Sequence, residues 1–204
     1  MKKYTQTGTR ELIKQFRAHG VGLLLCAQWR DPSQWLYYAI DNGAYSAFVN
    51  DVEWSPVPFL RILEKARKHD VRPDFVVCPD IVAAGKRSLD FSMKWIEVLP
   101  SELDYYLAVQ DGVEVSDVVP LIGRFKGIFV GGTKDWKFAT GESWAKFCSD
   151  HDLGCHIGRV GPMDRILWAE RIGATSIDST TWVQSSRGMR HIEHSEKQQI
   201  LEVI

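Results

Sequence analysis

The sequence predicts a compact (β/α)8 barrel that forms a single domain over residues 1–204. Short apolar, β-prone runs alternate along the chain with longer segments of helical periodicity, which is typical of an α/β fold with a parallel sheet. Eight such units share the 204 residues, about 25 residues each, and this fits a barrel at the small end of its size range. An open doubly wound sheet is the alternative, but no GxGxxG follows an early strand and no P-loop occurs.

The predicted strands are short runs rich in apolar or β-branched side chains. The run from Val21 to Ala27 is continuously apolar, as expected of a parallel strand that is covered on both faces. The other runs are shorter and end on a polar residue or a turn signal. The eight predicted strands are residues 3–7, 21–27, 37–40, 75–78, 105–109, 127–130, 154–158 and 174–177.

The segments between these strands have the spacing of amphipathic helices. In the first of them Leu12, Ile13 and Phe16 share one face, and Gly20 is placed to end the helix. Residues 28–34 and 48–58 are interpreted as loops. The predicted helices are residues 10–19, 57–69, 87–98, 115–124, 136–151, 163–172 and 195–204.

Composition excludes several classes of protein. The formal net charge is −1, so nothing in bulk composition indicates nucleic acid, and binding to it would depend on local patches. No apolar run approaches the roughly 20 residues of a membrane span, and the polar N-terminus does not resemble a signal peptide. The cysteines form no CxxC pair, which predicts buried thiols, a cytoplasmic setting and no structural zinc. They are Cys26, Cys78, Cys148 and Cys155.

Polar residues and glycines follow several of the predicted strands directly. In a barrel all carboxyl ends of the strands lie on one face, where active sites are found. We therefore expect these residues to converge on a single site. Taken alone, each has a simpler explanation, such as a helix N-cap, a plain turn or a need for positive φ. The residues are Asp41, Asp80, Gln110, Gly131, Gly132 and Asp178.

The residue types at these positions indicate a class of chemistry. Two carboxylates with distinct neighbours suit covalent catalysis, one as nucleophile and one as proton shuttle. Gln110 presents a donor and an acceptor side by side, which matches the edge of a purine. Tyr45, four residues after Asp41, offers a face on which a ring can stack. Together these parts predict a site for a planar heterocycle attached to a sugar.

Six segments resemble, in the same order, those of the tRNA-guanine transglycosylase superfamily. Within it they are most similar to the short DNA-acting branch, the DpdA-like deazaguanine DNA transglycosylases of phages and bacteria. The resemblance covers residues 41–190 of the chain. The segments are Asp41-Asn42-Gly43-Ala44-Tyr45, Pro79-Asp80, Val109-Gln110-Asp111-Gly112, Val130-Gly131-Gly132, His156-Ile157-Gly158-Arg159-Val160-Gly161 and Gly173-Ala174-Thr175-Ser176-Ile177-Asp178.

The resemblance implies a role for each of these residues. Asp178 corresponds to the nucleophile, Asp41 to the general acid and base, and Tyr45 to the aromatic ring that stacks on the base. The remaining matched positions are expected to bind the base, and they are Asp80, Gln110, Gly131, Gly132, His156 and Gly158. The implied reaction replaces a guanine with a 7-deazaguanine such as preQ0, and it needs no metal and no redox cofactor.

One departure from the family bears on the substrate. Its tRNA-acting members carry a CxCxxC-type zinc segment after the nucleophile, whereas the residues after Asp178 contain no cysteine. This favours DNA as the partner, with a free 7-deazaguanine base as the second substrate. Action on tRNA and a non-catalytic nucleic-acid-binding barrel are the alternatives. Whether a homodimer or an accessory protein is involved is left open.

Contacts to DNA phosphates are predicted for a basic rim around the active face. Its members lie just after strand ends or in the segment that follows Asp178, and two of them occupy positions where the family has arginines near the nucleic acid. They are Lys134, Lys137, Arg159, Arg187 and Arg190. Removal of a true phosphate contact is expected to lower the salt dependence of binding.

Overall fold

A computed structural model describes residues 1–6, 8–184 and 188–203, with residue 188 and residues 199–203 described by their backbone only. Eight parallel strands pair in the order of the sequence, and the last strand pairs with the first to close a barrel. The predicted fold class is therefore confirmed.

All eight predicted strands form, with ends that differ from the prediction by at most two residues. The second strand stops early because Ala27 has a φ of 61°, which turns the chain out of the sheet. The eighth strand extends to include Asp178, whose backbone lies opposite Tyr4 of the first strand. The strands are β1 (Lys2–Thr5), β2 (Val21–Leu25), β3 (Tyr38–Ile40), β4 (Val76–Val77), β5 (Tyr105–Val109), β6 (Gly127–Val130), β7 (Gly154–Ile157) and β8 (Ser176–Asp178).

Helices cover the outside of the barrel. Two short helices, at Ala44–Val49 and Thr181–Gln184, were not predicted. The last helix begins seven residues before its predicted start at residue 195. In the fifth connection a single α-helical turn passes into a 3₁₀ turn at Val119–Leu121 instead of continuing to residue 124. The helices are α1 (Arg10–Ala18), α2 (Ala44–Val49), α3 (Pro56–Lys68), α4 (Lys86–Ile96), α5 (Val115–Val118), α6 (Lys134–Asp150), α7 (Met163–Arg171), α8 (Thr181–Gln184) and α9 (Gly188–Val203).

The connection between β2 and β3 differs from the others. It contains a 3₁₀ turn at Pro32–Gln34 in place of an α-helix. Trp35 follows this turn, is buried, and stacks on Phe16 of α1 with ring centroids 6.2 Å apart. A single large ring thus covers part of the barrel wall that a helix would otherwise cover. The loop of residues 27–29 is left beside α3.

Aromatic rings fill the lower half of the barrel interior. Phe75 and Tyr106 stack with centroids 4.2 Å apart, and Tyr4 meets Tyr37 edge-on at 5.1 Å. Gly154 makes room for this packing, because a Cβ at that position would overlap the Tyr106 side chain. The rings close the floor of the barrel. A ligand therefore reaches the polar interior from the carboxyl-terminal end of the strands.

Candidate active site

The carboxyl ends of the strands form a bowl that is lined by polar side chains. Asp41 directly follows β3, and Asp178 is the last residue of β8. Asp178 and Asp80 both lie near enough to Asp41 for their negative charges to raise its pKa. The three carboxylates therefore share one site.

Asp178 is held through one of its two carboxylate oxygens. His156 Nε2 lies 3.0 Å from Asp178 Oδ1, and the backbone N–H of Arg159 donates to the same oxygen over 3.1 Å. The backbone N–H of Val160 donates to the carbonyl oxygen of Asp178 over 2.7 Å. Among the residues that the structure describes, both hydrogen bonds to the carboxylate fall on Oδ1. Oδ2 is thus the oxygen available to a reacting atom.

His156 supports Asp178 from below. The ring has no exposed surface, stacks on Phe129 with centroids 4.8 Å apart, and places Nδ1 2.9 Å from Ser176 Oγ. A neutral ring that donates from Nε2 to an ionised Asp178 has no proton on Nδ1, and Nδ1 then accepts a hydrogen bond from the Ser176 hydroxyl. The base-binding role predicted for His156 is not what this geometry provides. Both ring nitrogens are engaged, and the residue orients the carboxylate instead.

Asp41 is held more loosely. The backbone N–H of Gly43 donates to Asp41 Oδ1 over 2.6 Å, and Cys26 Sγ lies 3.9 Å from the same oxygen. Burial is the largest influence and raises the pKa of Asp41 to about 6, with the Gly43 N–H opposing and the negative charges of Asp178 and Asp80 adding to the rise. A carboxyl group with this pKa can both give and take a proton near neutral pH.

Asn42 joins the end of β3 to the end of β4. Its Nδ2 donates to Asp80 Oδ1 over 2.8 Å and to the carbonyl oxygen of Cys78 over 2.7 Å. Its Oδ1 accepts the N–H of Ala44 at 2.7 Å, and Trp54 Nε1 donates to its backbone oxygen at 2.9 Å. Burial raises the pKa of Asp80 to about 6, and the Asn42 hydrogen bond opposes that rise. Asp80 is thereby fixed in the bowl next to Asp41.

Gln110 lies at the end of β5, where the sequence placed it, and is buried. Its Oε1 accepts the backbone N–H of Ala83, and its Nε2 donates to the carbonyl oxygen of Ile81 over 2.8 Å. The amide thus holds the loop between β4 and α4. One lone pair on Oε1 and one N–H on Nε2 remain for a ligand.

The two glycines after β6 permit a close turn into α6. The N–H of Gly131 donates to the carbonyl oxygen of Val109 over 2.8 Å, and Gly132 has a φ of 69°. A Cβ at Gly132 would lie 2.6 Å from Asp111 Oδ2, the oxygen that accepts the N–H of Thr133. Glycine is therefore needed here both for the positive φ and for the approach of Asp111.

Tyr45 and Arg159 meet across the mouth of the bowl. The Tyr45 ring is 45% exposed, and the centre of the Arg159 guanidinium lies 4.2 Å from its centroid. Arg159 Nη2 also donates to the carbonyl oxygen of Gly132 over 2.5 Å. Arg159 was predicted to contact DNA phosphates, and the structure places its exposed side chain at the mouth of the bowl. A base that stacks on Tyr45 must use the other face of the ring or displace the guanidinium.

Lys137 is not the rim cation that its position in the sequence predicted. The residue is 6% exposed, and its Nζ donates to the carbonyl oxygen of Gly158 over 2.5 Å. Its place in the first turns of α6 directs the side chain inward, beneath the end of β7. Lys134 and Arg190 are exposed, as a phosphate contact would require, and Arg187 lies outside the described residues.

A cleft of about 510 Å³ lies between α3 and residues 27–29. Ala27 is one of the residues that line the cleft. It directly follows Cys26, whose Sγ lies 3.9 Å from Asp41 Oδ1. Lys68 pairs with Glu64 over 2.7 Å, but within the described part of the chain no ion pair involves the other two cations of the cleft. The wall carries one aromatic ring and three cationic side chains, namely Trp29, Arg61, Lys65 and Lys68.

Over residues 1–6, 8–184 and 188–203, no group of three or more His, Cys, Asp or Glu side chains is arranged to hold a metal ion. The helices in the same ranges are all too short or too polar to cross a lipid bilayer. The four cysteines are free thiols.

Comparison with known proteins gives a fold and no family. No family model and no curated protein matches the chain. Among solved structures, RipC from Yersinia pestis is similar, with a TM-score of 0.56 and 10% sequence identity over 96% of this chain and 94% of RipC. At this identity the likeness concerns the barrel fold alone.

Three residues of the site were not found from the sequence. Ser176 stands two positions before Asp178 in the same strand, so the period of two could have placed both on the inner face. No pattern in the sequence indicated a role in the site for Cys26 or Asn42. Their roles depend on contacts with Asp41 and Asp80, which other strands bring close.

Proposed function

We propose that this protein exchanges a guanine base in DNA for a 7-deazaguanine through a covalent bond between Asp178 and C1′ of the deoxyribose. The observation that carries the proposal is a pair of differently held aspartates in one bowl. Asp178 has one oxygen fixed by His156 and the Arg159 N–H, and Asp41 has a pKa of about 6. A nucleophile and a proton shuttle are the parts that a double displacement at a glycosidic carbon requires.

In the first half of the reaction, Asp178 Oδ2 attacks C1′ while the bond from C1′ to N9 of guanine breaks. The bonding electrons leave with the guanine, and Asp41 donates a proton to it and becomes a carboxylate. The donors on Asp178 Oδ1 keep that carboxylate oriented toward the sugar. The result is a glycosyl–enzyme and a neutral free base.

In the second half, the Asp41 carboxylate takes the proton from N9 of the incoming 7-deazaguanine. N9 then bonds to C1′, and the bond between C1′ and Asp178 breaks. One glycosidic bond is lost and one is formed, so the reaction balances without an oxidant or a reductant. Asp41 ends protonated and ready for another cycle.

The base is proposed to bind between Tyr45 and the polar ends of β4, β5 and β6. Asp80 and the remaining donor and acceptor of Gln110 would bind the edge of the base, and Gly131 and Gly132 would let its plane approach the backbone. The target nucleotide must leave the stack, at a cost of a few kcal/mol. Stacking on Tyr45, worth about 1–3 kcal/mol, helps to offset that cost.

The DNA strand is proposed to cross the mouth of the bowl between two basic surfaces. Lys134 and Arg190 are exposed on one side. On the other side the cleft beside α3 combines Trp29 with Arg61 and Lys65, and an aromatic ring among cations is typical of single-strand binding. DNA is the proposed nucleic acid, and tRNA is the alternative that the assay below distinguishes.

The test is a base-exchange assay with the purified protein. Single-stranded DNA, duplex DNA and tRNA are each incubated with preQ0, and the digested nucleosides are measured by mass spectrometry. We expect the deazaguanine in DNA, with one free guanine released per base inserted. Asp178→Asn should give neither product nor covalent adduct, while Asp135→Asn, which removes an exposed carboxylate from α6, should behave like the unaltered protein.

Two results would replace the proposal. Incorporation into tRNA alone would assign the protein to RNA. Binding of nucleic acid without any exchange, and without an adduct on denaturing gels, would make it a binding barrel in which the aspartates have no catalytic role.

A further inference from the structure

Lys137 is a buried, charged side chain whose role the reaction above leaves unassigned. Lys3, which is also buried, forms an ion pair with Glu196, whereas the partner of Lys137 is a backbone carbonyl. Lys137 is 6% exposed, and its Nζ donates a 2.5 Å hydrogen bond to the carbonyl oxygen of Gly158. Burying an ammonium group is costly unless it is paired. A neutral side chain would fill the same space at lower cost, so the charge calls for a functional explanation.

The carbonyl that Lys137 binds belongs to the peptide unit between Gly158 and Arg159. The other end of this unit is the Arg159 N–H, which donates to Asp178 Oδ1 over 3.1 Å. Arg159 has a φ of 60°, a conformation that is uncommon for a residue with a side chain. A single peptide thus has its oxygen bound to a buried cation and its N–H aimed at the proposed nucleophile.

The electrostatics of the site agree with this link. Burial and the charges of Arg159 and Arg165 lower the pKa of Lys137 to about 8, while the negative charges of Asp178 and Asp111 oppose that fall. The amine is thus mainly charged at neutral pH. A cation on the carbonyl polarises the peptide, which strengthens its N–H as a donor.

We propose that Lys137 is a positioning residue for Asp178 and acts through the Gly158–Arg159 peptide. By fixing the carbonyl it keeps the Arg159 N–H directed at Oδ1 and leaves Oδ2 turned toward the sugar. The kinetic consequence rests on the proposed function. The hydrogen-bond relay, from Lys137 Nζ through the Gly158–Arg159 peptide to Asp178 Oδ1, does not depend on the proposed function.

The first experiment reads the relay without any activity. Lys137→Met keeps the length of the side chain and removes its donor. Lys146→Met is the matched control, because Lys146 is exposed on the same helix. In Lys137→Met the Arg159 amide proton should move upfield, and its exchange with deuterium should accelerate about tenfold or more. The Val160 amide, which donates to the backbone oxygen of Asp178, should keep its shift and rate.

The second experiment measures the rate at which the covalent adduct forms in a single turnover. Lys137→Met should slow it by about ten- to hundredfold with little change in KM for DNA, because misplacing the nucleophile affects the reaction and not the binding. Lys137→Gln, which keeps an N–H donor without the charge, should lie between Met and Lys.

An unchanged Arg159 amide in folded Lys137→Met would overturn the relay whatever the protein does. Borohydride trapping of a carbonyl substrate on Lys137 would also overturn it, by giving the amine a covalent role. A shifted amide without exchange activity in the unaltered protein would instead keep the relay and reject the transglycosylase.

Discussion

The ends of β3 and β8 each present an aspartate to the same bowl, yet they hold it in different ways. Asp178 receives two donors on one oxygen, from His156 Nε2 and the Arg159 N–H. Asp41 receives one backbone N–H, from Gly43, with a thiol 3.9 Å away, and burial raises its pKa to about 6. Position at a strand end brings both acids together, but the donors around each decide what it can do.

The two supports also differ in where they come from along the chain. Asp41 is held by a residue two positions later, in a turn that Asn42-Gly43 makes possible with a φ of 80° at Gly43. The donors to Asp178 come from β7 and from the second residue after it, about twenty positions earlier. The support of Asp41 is therefore local, whereas the support of Asp178 comes from the neighbouring strand. The predictions below test whether that difference is functional.

The largest expected difference is in the chemistry. Asp178→Asn should abolish the covalent adduct, because an amide cannot attack C1′. Asp41→Asn should still form the adduct but about 10²–10⁴-fold more slowly, because proton donation to guanine is lost. The rate for the unaltered protein should also rise as pH falls through about 6, and this dependence should vanish in Asp41→Asn. Single-turnover adduct formation between pH 5 and 8 measures all three, and equal losses in both variants would argue against distinct roles.

The next difference is in stability. The pKa of Asp41 rises from 3.8 to about 6 on folding, so between those values the folded state binds more protons and stability falls as pH rises. At pH 7 the charged form is destabilising, and Asp41→Asn should raise the free energy of unfolding by about 1–2 kcal/mol after allowance for the partial exposure of the residue. The gain should disappear as pH falls from 6 toward 4. Asp178→Asn should instead lose about 1 kcal/mol, because it disturbs the hydrogen bonds to His156 and Arg159.

Urea unfolding at pH 7, 6 and 4 measures the free energy of unfolding of both variants, and it distinguishes the gain expected for Asp41→Asn from the loss expected for Asp178→Asn. The comparison fails if Asp41→Asn is destabilising at pH 7, or if its effect does not depend on pH. Asp135→Asn again serves as the control, since its carboxylate is exposed.

The barrel was predictable because its signal is carried by runs of apolar residues that repeat along the chain. The missed helix α2 shows the limit of that signal. Tyr45, Phe48 and Val49 are all largely exposed, so the segment has no buried stripe from which a helix could be recognised. It forms because Gly43 turns the chain and Asn42 caps the turn through Ala44. The helix therefore depends on the turn that precedes it and not on a buried face.

Lys137 shows why the site could be predicted only in part. A lysine in the first turns of a helix is usually solvated, and the position of Lys137 between Trp136 and Phe138 does not show which way its side chain points. Its partner, the carbonyl of Gly158, is 21 residues away and reaches it only when β7 closes against β6. The acids could be predicted because a strand end alone positions them. The supports of Asp178 could not, because they come from the end of the neighbouring strand and, through Lys137, from α6.

The smallest expected effects concern the two basic surfaces beside the acids. On the side of β3, Arg61 and Lys65 line the cleft without an ion pair among the described residues, and on the other side Lys134 and Arg190 are exposed. Each contact with a phosphate of single-stranded DNA contributes about 0.7 to the slope of log Kd against log salt. Single alanine substitutions at these four positions should each lower the slope by about that amount and weaken binding a few-fold, with kcat unchanged. Lys94→Ala, on the exposed face of α4, should leave the slope as it is.

The measurement is a fluorescence anisotropy titration of a labelled oligonucleotide at four salt concentrations. A slope that falls only for Lys134→Ala and Arg190→Ala would remove the cleft from the path of the strand. A slope that falls only for Arg61→Ala and Lys65→Ala would show that the strand leaves the bowl on the side of Asp41.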